Sequence, residues 1–292
     1  MTFILDGKKV AQKLKDNLKI EIENLKLKFN CVPGLAVVQV GNVAASSVYV
    51  KAKTKAAKEV GINVIDHHLE ETTNQSELIN LISKLNSNKD VDGILVQLPL
   101  PDTINEEAVL NSILPEKDAD GFHPLNVGKL SISPKNDENL MIPCTPYGCL
   151  LLLRELNINL AGKNAVVIGR SNIVGKPMAQ LLLKESCTVT TVHSKTENIE
   201  SICRNADILV AAIGKPEFVN KDWVKDGAII IDVGINRIKV SETKSKLVGD
   251  VLFSDVEQKV SAISPVPGGV GPMTIACLLI NTTTACKLKY NN

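Results

Sequence analysis

The sequence predicts an α/β protein with two domains, each built on a parallel β-sheet. Short apolar stretches alternate with helical patterns along most of the chain, and parallel strands need crossover connections of that kind. The alternation occurs twice, on either side of an irregular polar stretch at 131–143. A chain of 292 residues, 44% of them hydrophobic, can bury a large core and exceeds the usual size of one domain.

The first block is predicted to be β-α-β-α-β, preceded by a helix at 8–28. Its strands and the helices between them are predicted, in order, at 35–40, 46–60, 62–65, 77–85 and 93–98. Asn74 and Glu77 form a capping pair, and Gly61 suits the position just after a helix. These residues define two of the helix boundaries.

The second block repeats the pattern. Its elements are predicted, in order, as strand 165–168, helix 174–184, strand 188–192, helix 197–204, and strands 208–213 and 228–233. A last helix at 273–285 is expected to return to the first domain, since a ligand between two domains needs walls from each. We therefore expect one domain at 1–140, completed by 272–292, and another at 141–271.

Composition and charge exclude several classes of function. The 33 basic and 32 acidic residues leave a formal net charge of +1, and only 3% of the residues are aromatic, so no nucleic-acid partner is expected. The seven cysteines form no C-x-x-C pair, which argues against a disulfide framework and against a metal site. No apolar run is long enough to span a membrane. We expect a cytoplasmic protein with no membrane partner.

A Pro/Gly turn at 264–274 stands immediately before the last predicted helix. It contains three glycines and three prolines. Proline fixes φ, glycine lets the backbone approach a ligand, and Pro272 suits the first position of a helix whose N-terminal amides attract anions. The turn is thus a candidate ligand contact, with a purely structural tight loop as the alternative.

Gly169, Ser171 and Gly175 lie at a strand-to-helix turn, which favours a Rossmann phosphate loop. The match is imperfect, because Ser171 replaces the usual second glycine and Gly175 falls one residue late, so a simple βα turn is the alternative. An acidic residue about 20 positions downstream would favour NAD, but residues 192–195 read Val-His-Ser-Lys. The neutral-to-basic segment at 192–195 could bind a 2′-phosphate, and so could Arg170. These residues favour NADP over NAD.

Four polar residues are candidates for chemistry in the first block. Tyr49 and Lys53 are four residues apart on a predicted helix and share a face near the end of the preceding strand. Gln97 closes a predicted strand, and Asp120 lies in an acidic turn. The alternatives are a solvated lysine among several on the same helix, and a glutamine and an aspartate that only satisfy backbone groups.

Several longer motifs occur together with these residues. They are Tyr49-x-x-x-Lys53, Asp-Gly-Ile-Leu-Val-Gln-Leu-Pro-Leu-Pro at 92–101, Lys-Asp-Ala-Asp-Gly-Phe at 117–122, Pro-Cys-Thr-Pro at 143–146, Gly-Arg-Ser at 169–171, His-Ser-Lys-Thr at 193–196 and the Pro/Gly turn. In this combination and order the chain closely resembles the bifunctional methylenetetrahydrofolate dehydrogenase/cyclohydrolase family, the FolD family. The resemblance covers essentially the full length.

The resemblance implies an N-terminal α/β domain that binds folate, a C-terminal Rossmann-type domain that binds NADP, and a reaction cleft between them. It implies a homodimer. The implied activity is oxidation of 5,10-methylenetetrahydrofolate to the methenyl cation by hydride transfer to NADP+, followed by hydrolysis to 10-formyltetrahydrofolate in the same site.

The resemblance also assigns residues. A lysine in a closed cleft can move protons when burial favours its neutral form, and this role falls to Lys53, held by Gln97, with Tyr49 orienting the substrate and Asp120 binding the pterin. Substrate contacts are further implied for Leu98, Pro267, Gly268 and Gly271. Cofactor contacts are implied for Thr145, Gly169, Arg170, Ser171, Ser194 and Ile235.

Two other functions fit the sheet pattern. One is a different two-domain NAD(P) dehydrogenase of the shikimate type, and the other is a dinucleotide-binding regulator that has lost turnover. The turns that resemble those of the folate family count against the shikimate-type dehydrogenase. The joint presence of Tyr49, Lys53, Gln97 and Asp120 counts against the second.

Overall fold

The computed structural model describes residues 1–42, 44–135, 137, 139–241 and 245–290. The chain divides into two compact units. Unit 1 comprises Met1–Ala11 and Thr145–Thr274, and unit 2 comprises Gln12–Cys144 and Ile275–Asn292.

The first half of the chain contains, in order, β1 (Phe3–Ile4), α1 (Gly7–Phe29), β2 (Gly34–Val40), α2 (Ala44–Val60), β3 (Asn63–Leu69), α3 (Gln75–Ser87), β4 (Gly93–Val96), α4 (Glu106–Ser112) and α5 (Pro124–Ile132). The second half contains α6 (Cys144–Arg154), β5 (Asn164–Ile168), α7 (Gly175–Lys184), β6 (Thr188–Val192), α8 (Ile199–Arg204), β7 (Ile208–Ala211), β8 (Ile229–Asp232), β9 (Asn236–Lys239), β10 (Ser245–Val248), α9 (Phe253–Val256), β11 (Ala262–Ile263) and α10 (Val270–Leu288). Short 3₁₀ helices lie at Pro115–Lys117, Lys221–Trp223 and Glu257–Lys259.

Unit 2 is built on a three-stranded parallel sheet in the order β3-β2-β4. Every residue of the central strand β2 is buried, whereas the edge strand β3 has only exposed and half-buried positions. The strand predicted at 62–65 continues to Leu69 because polar residues such as Asp66 and His68 lie on an edge that does not require a continuous apolar run. Apolar residues of β2, β4, α3 and α4 form the core of this unit.

Unit 1 contains a six-stranded parallel sheet in the order β1-β11-β8-β7-β5-β6 and a separate antiparallel pair, β9 and β10. Its core lies under strands β5, β7 and β8 and includes the single tryptophan, Trp223. The α/β class and the parallel sheets predicted from the sequence are confirmed. Strand β1 was not predicted, because a two-residue strand is recognisable only through its partner β11.

Local boundary signals agree closely with the structure. The Asn74 side chain accepts a hydrogen bond from the Glu77 backbone amide, and the Glu77 carboxylate accepts one from the Asn74 amide, so the predicted capping box is confirmed. Gly61 follows α2 with φ +94°, as expected for a residue after a helix. Pro272 lies in the first turn of α10, two residues after its start, so its predicted placement at the first position is wrong by two residues.

The irregular stretch at 131–143 follows the end of α5, and its positions 136 and 138 lie outside the described residues. Among the described residues, none of the helices combines the length and the hydrophobicity that a membrane-spanning helix needs.

Candidate functional site

Lys53 differs from the other lysines of α2 because its side chain is buried. It is 7% exposed, whereas Lys51, Lys55 and Lys58 are exposed. Its Nζ donates a hydrogen bond to Oε1 of Gln97 over 3.1 Å. The amide oxygen of Gln97 can accept a hydrogen bond from an amine in either protonation state and adds no net charge beside it.

Gln97 is held by hydrogen bonds of both its backbone and its side chain. Its backbone amide donates to the Val38 carbonyl (2.8 Å), which extends the pairing of β4 with β2 by one residue. Its side-chain Nε2 donates to the Leu98 carbonyl (2.6 Å), so Oε1 is the atom presented to Lys53. Leu98 itself is half-buried. The strand end therefore orients the amide that holds the lysine.

Asp120 lies in a turn organised by its neighbour Asp118. The Asp118 carboxylate accepts hydrogen bonds from the backbone amides of Gly121 (3.0 Å) and His123 (2.8 Å) and from the side chain of Asn126 (2.9 Å). Asp120 is held through its carbonyl, which accepts from the Cys144 amide over 3.2 Å. Among the described residues, the Asp120 carboxylate accepts no hydrogen bond, so it is available to another partner.

Burial raises the pKa of the Asp120 carboxyl to about 6, against the opposing effect of the Lys53 charge, while the Asp118 charge raises it further. The charges of Lys53 and Asp120 therefore influence each other.

Tyr49 is half-buried and lies one helical turn before Lys53. Burial raises the pKa of its phenol, which keeps the hydroxyl protonated as a hydrogen-bond donor. The five residues that the resemblance assigns to catalysis or substrate binding in the first half of the chain all lie in unit 2. They are Tyr49, Lys53, Gln97, Leu98 and Asp120.

Asn281 on α10 has a structural role that was not predicted from the sequence. It is 1% exposed, and its Nδ2 donates to the carbonyls of Ala119 (2.9 Å) and Ile142 (2.8 Å). Asn281 thus fixes the two backbone segments on either side of the Asp120 turn. An apolar helix containing one buried asparagine was the only available signal, and it does not specify a partner.

The turn between β5 and α7 in unit 1 is too tight for side chains at two positions. Gly169 has φ +118°, and a Cβ atom there would lie 2.2 Å from the Ala212 carbonyl oxygen. A Cβ atom on Gly175 would lie 2.3 Å from the Gly169 oxygen. The Ser171 Oγ accepts from the amides of Val174 (3.1 Å) and Gly175 (3.3 Å), so this serine shapes the turn where a glycine is more usual. Arg170 is exposed.

The turn after β6 presents further polar groups at the same edge of the sheet. The His193 amide donates to Thr196 Oγ1 (2.9 Å), and His193 Nδ1 accepts from the Lys195 amide (3.2 Å). Ser194 and Lys195 are exposed. Because β5 and β6 are neighbouring parallel strands, Arg170 and Lys195 follow adjacent strands at the carboxyl edge, where ligands of open α/β sheets bind. A dinucleotide with a 2′-phosphate fits this set of residues.

The remaining predicted residues also belong to unit 1. Thr145 is half-buried, with its Oγ1 3.1 Å from that of Thr274, and Ile235 is 44% exposed just after β8. Pro267 is exposed, and Gly268 and Gly271 are half-buried. The Gly268 carbonyl accepts from the Lys8 amide over 3.2 Å, so the Pro/Gly turn is anchored to the start of α1.

Comparisons with known proteins match both units. The family model described as the tetrahydrofolate dehydrogenase/cyclohydrolase catalytic domain matches residues 5–120, and that of the NAD(P)-binding domain of the same family matches residues 143–290. Bifunctional protein FolD of Rhodospirillum rubrum is 53% identical over 288 residues, which are 98% of this chain and 97% of that protein.

Two solved structures are similar over their whole length. The bifunctional enzyme FolD from Campylobacter jejuni has a TM-score of 0.94 and 47% identity, covering 99% of this chain and 100% of that chain. FolD from Trypanosoma brucei, complexed with NADP cofactor and inhibitor, has a TM-score of 0.94 and 38% identity, covering 100% of this chain and 99% of that chain. The chain therefore belongs to the tetrahydrofolate dehydrogenase/cyclohydrolase family.

Proposed function

We propose that this protein oxidises 5,10-methylenetetrahydrofolate to 5,10-methenyltetrahydrofolate with NADP+ and then hydrolyses the methenyl cation to 10-formyltetrahydrofolate in the same site. The observation that carries the proposal is the hydrogen bond between the buried Lys53 and Gln97 in the unit that also contains Asp120. The shikimate-type alternative is not favoured, because both matching family models describe folate enzymes.

Lys53 is the proposed proton carrier. NADP+, when bound, accepts the hydride from the methylene carbon of the substrate. Positive charge develops on the substrate in that step, so a neutral amine at Lys53 is more favourable than an ammonium ion. The Gln97 oxygen holds the amine in position through this step.

Hydrolysis uses both protonation states of the same amine. Water attacks the methenyl carbon and gives one proton to the neutral Lys53. The resulting ammonium donates that proton to the ring nitrogen as its bond to the one-carbon centre breaks. The hydroxyl proton leaves to solvent as the formyl C=O forms, so one proton is released overall and Lys53 is neutral again.

Asp120 and Tyr49 are the proposed substrate-orienting groups. The pterin 2-amino group and the adjacent ring N–H are a pair of donors that a carboxylate can accept together. The Cys144 amide holds the Asp120 backbone. The Asp120 carboxylate accepts no hydrogen bond from the described residues and is available for this purpose. A protonated phenol at Tyr49 donates a hydrogen bond to the substrate without adding charge near the cation.

Arg170 is proposed to bind the 2′-phosphate of NADP, together with Lys195. We expect Arg170→Ala to raise the KM for NADP+ by about 10- to 100-fold, the loss of one charge-assisted hydrogen-bonded contact. The KM for NAD+, which lacks the 2′-phosphate, should change little. Steady-state kinetics with each cofactor measure both values, and Lys221→Ala, an exposed lysine of unit 1 outside the turn between β5 and α7, serves as control. An equal rise for NAD+ and NADP+ would contradict this assignment.

We propose further that the protein is a cytoplasmic homodimer, that residues 1–140 with 272–292 bind folate, and that residues 141–271 bind NADP. The mass in solution, measured by size-exclusion chromatography with light scattering, tests the dimer.

One assay tests the proposed function. Purified protein is mixed with methylenetetrahydrofolate and either NADP+ or NAD+, and the reduced cofactor, the methenyl cation and 10-formyltetrahydrofolate are followed together. We expect NADPH and 10-formyltetrahydrofolate to form. Binding of NADP+ without turnover would instead support the regulator, and turnover only with a hydroxy acid would support another dehydrogenase.

A further inference from the structure

Two buried aspartates of unit 1 have no part in the proposed chemistry. Asp232 is the last residue of β8 and is 3% exposed, and Asp250 lies between β10 and α9 and is fully buried. The six hydrogen-bond donors that the structure gives the two carboxylates are all amides. Two carboxylates are thus buried together and stabilised by amide dipoles.

Asp232 binds the segment that contains Asp250. Its Oδ1 accepts from the backbone amides of Asp250 (2.8 Å) and Gly234 (3.0 Å), and its Oδ2 accepts from the Val251 amide (3.0 Å). The fit is close, because a Cβ atom on Gly249 would lie within 1.7 Å of Asp232 Oδ2. The position of Asp250 is therefore set by the end of β8.

Asp250 in turn binds the loops that follow two neighbouring strands. Its Oδ2 accepts from the amides of Ile213 (2.7 Å) and Gly214 (3.0 Å), just after β7. Its Oδ1 accepts from the side chain of Asn236 (2.9 Å), after β8. One carboxylate thus connects the loops at the carboxyl ends of β7 and β8.

The Pro/Gly turn is connected to the same pair. The Asp232 backbone amide donates to Ser264 Oγ over 2.8 Å, and Ser264 is the residue that begins the turn after β11. The loops that follow β7, β8 and β11 are therefore fixed by one buried polar cluster at the edge of the sheet where dinucleotides bind.

Keeping the two carboxylates buried has a cost. Burial raises the pKa of Asp232 to about 7, and the neighbouring Asp250 charge raises it as well, against the opposing effect of the backbone hydrogen bonds. Burial and, to a smaller extent, the Asp232 charge raise the pKa of the Cys149 thiol on α6. A purely structural connection could use neutral side chains without this cost. A carboxylate, however, accepts hydrogen bonds from several donors at once, so one side chain can hold several backbone segments in fixed positions.

We propose that Asp250, held by Asp232, is a positioning residue for NADP. It fixes the loops at 213–214 and 234–236, and so sets the affinity for the cofactor without touching the reacting atoms. Ile235, the proposed cofactor contact, lies between Gly234 and Asn236, both of which bind this pair. The inference rests on the proposed function and adds Asp250 to the residues that determine cofactor binding.

The test is Asp250→Asn, because it keeps the shape but replaces one acceptor oxygen with an NH2 group that must face another donor. We expect the KM for NADP+ and the Kd for NADPH to rise about 10- to 100-fold, as for two lost hydrogen bonds. The rate of methenyltetrahydrofolate hydrolysis, which needs no cofactor, should fall less than the cofactor affinity, because Lys53, Gln97 and Asp120 lie in unit 2 and are unchanged. Asp226→Asn, at an exposed carboxylate of the same unit, is the matched control.

Asn236→Ala removes a single donor to Asp250 and is expected to raise the KM for NADP+ by about 3- to 10-fold. If thermal unfolding shows that Asp250→Asn does not fold, Asn236→Ala tests the proposal in its place. Unchanged cofactor affinity in a folded variant, or equal loss of hydrolysis and cofactor binding, would overturn the proposal. If the wild-type protein does not oxidise methylenetetrahydrofolate, the proposed function fails, while the NADPH affinities of wild type and variants still test the positioning role.

Discussion

Replacing Lys53 with methionine is expected to reduce methenyltetrahydrofolate hydrolysis by at least about 100-fold, the lower end of what general acid–base catalysis contributes. Methionine fills most of the buried volume but carries no proton. Hydride transfer should be reduced less, because the role proposed for Lys53 in that step is to hold position and not to transfer a proton. The measurement is the initial rate of hydrolysis with methenyltetrahydrofolate supplied directly, compared with the rate of NADP+ reduction.

The control for this variant is Lys55→Met, two residues along the same helix. Lys55 is exposed and lies 3.8 Å from Glu59, so its loss removes only a surface ion pair of small value. Both activities should be retained. If Lys53→Met lost hydride transfer and hydrolysis equally while folate binding stayed intact, separate roles for the two protonation states of Lys53 would lose their support.

Asp120→Asn should weaken folate binding by about 10- to 100-fold, because an amide cannot accept both pterin donors and loses the charge that strengthens them. NADP affinity should not change. Equilibrium binding of folate and of NADPH to the same preparation measures both effects. Asp90→Asn is the control, since Asp90 is exposed and precedes β4, whereas Gln97 follows it.

The pH dependence of folate affinity gives a second measure of the same residue. The pKa of Asp120 is raised to about 6, so in the free protein the carboxyl is ionised above that pH and protonated below it. A protonated carboxyl has lost one acceptor, so folate affinity should fall as pH decreases through about 6. Asp120→Asn should remove this dependence. A variant that loses NADPH affinity but keeps folate affinity would refute the assignment.

Regular elements with local signals were predictable from the sequence. The capping box of α3 and the glycine after α2 are properties of a few adjacent residues, so their boundaries follow from short-range chemistry. The strands of both parallel sheets appear as short apolar runs because both faces of such sheets are covered. The site motifs could be recognised for the same reason, because each lies within a continuous stretch of chain.

Features that depend on distant partners could not be predicted in this way. Helical spacing places several lysines on α2, and only the packing of the fold buries Lys53 against Gln97. Strand β1 exists through pairing with β11, more than 250 residues away. The cluster of Asp232 and Asp250 likewise joins segments that nothing in the local sequence relates.

The most direct test of the account is one progress curve with Lys53→Met, methylenetetrahydrofolate and NADP+, in which all three products are quantified. We predict that NADPH and the methenyl cation accumulate in equal amounts, while 10-formyltetrahydrofolate forms only at the rate seen in buffer. The wild-type protein should convert the methenyl cation onward. Formation of 10-formyltetrahydrofolate by the variant at the wild-type rate would contradict the claim that the Lys53 amine carries the protons of ring opening.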